Sequence, residues 1–118
     1  MITVEFDCNQ DGTIKALRVS GHAGYEAQGK DIICAASSTL FQTAAHALET
    51  LCGLKGFYQI SEDEENNLSV IKLPVEPELM KMDSPAQWIL ATVRSGFELL
   101  EQTDRIDYNG RHIRIMYK

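Results

Sequence analysis

The 118-residue chain has no apolar run long enough to cross a bilayer. Its first residues, Met1-Ile2-Thr3-Val4-Glu5-Phe6-Asp7, lack the charged head, long apolar stretch and small-residue cleavage site of a secretion signal, and read instead as a strand. Cysteine is scarce and odd in number. Cys8, Cys34 and Cys52 lack the close pairing of a disulfide framework or a zinc knuckle, so a reducing cytoplasm is the expected compartment. Basic residues are outnumbered, eleven against seventeen acids, for a net charge of −6. A nucleic-acid partner is therefore disfavoured, because binding phosphates takes a concentrated basic face, and a basic protein is the better-matched partner. No repeat, low-complexity tract or interdomain linker interrupts the chain, and with 44% hydrophobic residues positions 1–118 are expected to form one domain around one core.

Hydrophobic periodicity supplies the elements. Val4 and Phe6 alternate with Glu5 and Asp7, and beyond the turn Asn9-Gln10-Asp11-Gly12 the run Ile14 to Val19 alternates again, which predicts a hairpin. After a glycine-bearing loop at 21–30, Asp31 suits an N-cap. Leu40, Phe41, Ala44, Ala45, Leu48 and Leu51 then recur at helical spacing until Gly53. Residues 57–60 and 68–73 read as strands joined by the acidic turn Glu62-Asp63-Glu64-Glu65. Ser84-Pro85-Ala86-Gln87 combines a cap, a first-turn proline and a glutamine three residues after the cap, and Ile89, Leu90, Val93, Phe97 and Leu100 continue as a buried stripe. Ile106-Asp107-Tyr108, the turn Asn109-Gly110 and the run from His112 to Tyr117 predict a closing hairpin. The order ββαββαββ implies an α+β fold, a mixed, largely antiparallel sheet with two main helices packed on it.

The stretch GHAGYEAQGKDIICAASS, residues 21–38, concentrates the chemistry. Gly24 to Lys30 has the spacing of a nucleotide-binding loop, but the next residue is Asp31, where such a loop needs a hydroxyl to hold magnesium. A metal site would have to draw on His22, Cys34, His46, Cys52 and His112, none of them spaced as local ligand pairs, so no metal or cofactor is expected. Packing accounts for Cys8 and Cys52, and a surface position for His46. Cys34 falls near the start of the first helix, where unpaired N–H groups and the helix dipole favour a thiolate and can hold an oxyanion. His22, at the head of the loop, is the base best placed by sequence. The same residues also fit a buried helix-start cysteine and a loop histidine capping a strand.

Asp31 suits the cap or the orientation of His22. Ser38, four residues after Cys34 on the same helix face, is placed to line a site or to back-bond to the Cys34 carbonyl. Gly21 and Gly24 would let the loop close over an extended peptide or make tight turns, and Tyr25 is a candidate substrate contact. Ala35, next to Cys34, is counted with the supporting positions.

Ser20-Gly21-His22-Ala23-Gly24-Tyr25, followed by Gly29-Lys30-Asp31-Ile32-Ile33-Cys34-Ala35-Ala36-Ser37-Ser38, resembles the signature of the bacterial ribosomal-processing cysteine proteases, the Prp family. The short acidic chain, the two opening strands, the helix after the cysteine, the later Ser-Pro helix and the terminal hairpin resemble it as well. The resemblance implies a homodimeric cysteine endopeptidase, with Cys34 as nucleophile and His22 as general base and acid. Its implied substrate is the precursor of the twenty-seventh protein of the large ribosomal subunit, from which it removes an N-terminal extension with paired aromatic residues near the cut. The alternatives are a non-enzymatic ribosome-associated binding or assembly protein with a structural Cys34, and a thiol-dependent hydrolase or transferase acting on small molecules.

Overall fold

A computed structural model of the chain describes residues 1–21, 30–60 and 67–118, without the side chains of residues 30, 31, 59 and 60. Strands β1 (Ile2–Cys8) and β2 (Ile14–Gly21) form the expected antiparallel hairpin, with Phe6 opposite Leu17 and Ile2 opposite Gly21. Its turn is tied by Thr13, whose hydroxyl and N–H both donate to Asp11 Oδ1 at 2.6 and 3.0 Å. These bonds hold the Asp11 carboxyl below its ordinary value.

Helix α1 (Lys30–Cys52) follows, then β3 (Tyr58–Ile60) and β4 (Ser69–Lys72), paired antiparallel. The acidic turn at 62–65 lies outside the described residues. A single 3₁₀ turn (Pro77–Met80) leads into helix α2 (Pro85–Asp107), and β5 (Ile113–Tyr117) closes the chain. The five strands lie in the order β3-β4-β2-β1-β5. All neighbours are antiparallel except β1 and β5, so the sheet is mixed and largely antiparallel, as expected.

Period-two alternation sets the layers. Ile2, Val4 and Phe6 are buried beneath the helices, whereas Asp7 and Glu5 on the other face of β1 pair with Arg18 and Lys118. Phe41, Ala44, Ala45 and Leu48 of α1, with Leu90, Val93, Phe97 and Leu100 of α2, complete one core cluster. The Phe6 ring is central, edge-on to Phe97 at 6.1 Å between centroids. The expected α1 stripe holds in its middle but not at its end, where Leu51 is exposed.

Two expectations are corrected. The closing hairpin does not form, because α2 runs on through Ile106 and Asp107 and the order ends as ββαββαβ. Asn109 and Gly110, with φ of 72° and 71°, terminate a helix rather than turn a hairpin: the N–H groups of Tyr108 and Gly110 both donate to the Asp104 carbonyl. A left-handed Asn-Gly pair serves either purpose, and Ile106, 81% exposed, has no core to reach from a strand. At the start of α2, Ser84 caps as expected, accepting the Gln87 N–H at 3.3 Å. The Gln87 side chain, however, does not complete a capping box. It is buried, and bonds Ile14 through Oε1 to its N–H at 2.7 Å and through Nε2 to its carbonyl at 2.8 Å, with a further bond to the Leu79 carbonyl.

Candidate active site

Helix α1 begins at Lys30, one residue ahead of the expected cap, so Asp31 is its second residue and Cys34 its fifth. An acidic residue inside a first turn complements the helix dipole as a capping aspartate does, and on backbone position alone the sequence does not separate the two. Cys34 is half-buried and lines a cleft of about 160 Å³. One wall is helical: Ser37, Ser38, Phe41 and Gln42 stand three, four, seven and eight residues beyond Cys34, which puts them on its face of α1. The other wall comes from the sheet, with Ile2 of β1, Val19 and Gly21 of β2, Ser69 of β4, and Asn67 just before it.

Gly21 is fixed by backbone geometry. Its φ is +88°, and a Cβ built on it would stand 2.4 Å from the Met1 carbonyl oxygen. The Asn67 side chain donates from Nδ2 to the Gly21 carbonyl at 3.2 Å, tying the end of β2 to the approach to β4 along the sheet wall of the cleft. Among the described residues the lining carries no charged side chain.

Of the residues singled out from sequence, Cys34, Ser38 and Gly21 meet at this cleft, with Ser38 exposed at its rim. Ala35 is exposed and not part of the lining. His22, Gly24 and Tyr25 lie outside the described residues, as does the Asp31 side chain. His46 is exposed, and Cys8 and Cys52 are half-buried against the core, where burial pushes the Cys52 thiol up. Sequence reasoning passed over Ser37, although the spacing argument that selected Ser38 at four residues from Cys34 selects Ser37 at three. Phe41 and Gln42 follow from the same period. Asn67 and Ser69 carry no such signal, because only the pairing of β4 with β2 brings them to the cleft.

A second histidine has the form of a base with its orienting acid. His112 Nδ1 lies 2.6 Å from Asp104 Oδ1, while Asp104 Oδ2 accepts the His112 and Ile113 N–H groups at 2.9 and 3.3 Å. Both residues are sealed in the core, His112 is not part of the cleft lining, and its Nε2 has no partner among the described residues. This pair fastens the start of β5 to α2 and does not serve the thiol. Among the described residues no three histidine, cysteine or acidic side chains converge as a metal site, and no helix is long and apolar enough to cross a membrane.

Comparison with known proteins adds three findings. The family model for cysteine protease Prp matches residues 1–107. The crystal structure of an essential ribosomal processing protease Prp from S. aureus in complex with a substrate peptide is similar over the full length of both chains, at 25% identity and a TM-score of 0.74; the same S. aureus protease with a covalently linked product peptide is similar at 28% and 0.71, again over both full chains. SMU.848 from Streptococcus mutans is similar at 27% identity and a TM-score of 0.76, over all of this chain and 96% of its own. No curated protein matches.

Proposed function

Because the chain belongs to the cysteine protease Prp family, we propose that it is the endopeptidase that trims the N-terminal extension from the precursor of the twenty-seventh protein of the large ribosomal subunit, using Cys34 and His22. The observation that carries this reading is the placement of Cys34 on a cleft one of whose walls is Gly21, the residue that precedes His22 in the chain. The S. aureus relatives, bound to a substrate peptide and to a covalently linked product peptide, support a peptide substrate and a covalent step. A homodimer in the cytoplasm belongs to the same proposal.

In this mechanism His22 takes the Cys34 proton and the thiolate attacks the scissile carbonyl. His22, now protonated, delivers its proton to the leaving amine of the mature protein, which departs and leaves the extension as a thioester on Cys34. Water, deprotonated by His22, attacks the thioester and releases the extension with a free carboxylate.

The test is incubation of the precursor with wild-type protein, Cys34→Ala and His22→Ala, read by intact mass. Loss of an N-terminal fragment with wild type alone is the expected result. An uncut precursor, with wild type folded and its thiols reduced, would contradict the reading and move the weight to a binding protein.

A further inference from the structure

Ser37 is 2% exposed, lies one turn from Cys34 on the same helix face and lines the same cleft, and its Oγ has no hydrogen-bond partner among the described residues. Helical hydroxyls usually resolve that situation by bonding to the carbonyl four residues back. In this protein Thr39, Thr43 and Thr50 of α1 all do so, to Ala35, Thr39 and His46 at 2.8, 2.6 and 2.9 Å. Ser37 forms no such bond to Ile33. A buried hydroxyl without a partner destabilises the free protein, and a group that arrives to meet it gains the bond with no competing one to break.

We propose that Ser37 is a substrate-binding residue whose Oγ–H donates to a backbone carbonyl of the peptide bound against Cys34. The inference rests on the protease reading and adds a contact to it. A serine hydroxyl turns among staggered wells at little cost, so Ser37, already in the cleft wall, needs only a small side-chain motion to aim its O–H at a bound peptide. The donor is uncharged and the wall around it carries Ser38, Gln42, Asn67 and Ser69, so the bond it makes is to the main chain of the substrate and is tolerant of side-chain identity.

The proposal separates from a structural role because the two predict opposite signs for stability. Removing a hydroxyl that bonds to none of the described residues leaves the fold unharmed, so Ser37→Ala is expected to melt at or above the wild-type temperature while its kcat/KM on a peptide spanning the precursor's processing junction falls about tenfold, the worth of one hydrogen bond. The companion measurement is the Kd of that peptide for Cys34→Ala and for Cys34→Ala combined with Ser37→Ala, where the second is expected to bind more weakly. Because it needs no turnover, this arm distinguishes the two claims: a peptide that binds Cys34→Ala but is never cut by wild type overturns the protease reading and leaves Ser37 judged by Kd. Unchanged kcat/KM and Kd in the Ser37→Ala proteins would overturn the Ser37 assignment. So would a lowered melting temperature that accounts for the loss.

Discussion

At the scale of single residues, the side chains that hold this protein together were the hardest to see in its sequence. Gln87 stands where a capping-box glutamine belongs, and instead supplies two buried hydrogen bonds to β2 and a partly buried one to the 3₁₀ turn. Its partner Ile14 is 73 residues away, beyond the reach of any local rule. Replacing it with leucine, close in volume, strips the Ile14 N–H and carbonyl of their Gln87 partners and leaves the Leu79 carbonyl with the Ser84 hydroxyl alone, and Gln87→Leu is expected to lower unfolding free energy by about 2 to 3 kcal/mol. Urea denaturation checks this, and a midpoint within error of wild type would contradict it. Asp104 was passed over and His112 was weighed only as a metal ligand for the same reason, since nothing local pairs an acid on a helix with a histidine at the head of a strand until the fold seals both. Cys34 and Ser38 were legible because helix period and a motif are local, while Asn67 and Ser69 were not.

At the scale of elements, alternation and capping located nearly every strand and both helices, and failed where one signal fits two outcomes. Asn109-Gly110 satisfies a hairpin turn and a helix terminus alike, and the choice was made by α2, whose end carries Asp104 to the N–H groups of His112 and Ile113. Next along β5, the Ile115 N–H donates to Glu101 Oε2 at 3.0 Å. Helix side chains thus satisfy outward N–H groups of an edge strand, which protects that edge from pairing with another chain. The two helices meet closely at Gly96, where a Cβ would stand 2.5 Å from Leu40 Cδ2. Gly96→Val forces the Leu40 side chain out of place, and is expected to cost about 1 to 3 kcal/mol, with part of the strain passed to α1 and its cleft-lining face. A thermal melt equal to wild type would show that the helices have room to spare.

At the scale of the whole molecule, composition and the order of elements were enough to give an α+β fold with helices over a largely antiparallel sheet, and the S. aureus and S. mutans structures share it. The motif carried the family, which the match over residues 1–107 establishes. The account's central claim is that this fold exists to present Cys34 to a peptide as a nucleophile. The measurement that tests it most directly is an acid quench of wild-type protein during turnover of the precursor, followed by intact mass and a peptide map. The account predicts an enzyme heavier by the N-terminal extension less one water, with the adduct on Cys34. Processing without any such species, or an adduct on Cys8 or Cys52, whose thiol burial has pushed up, would contradict it.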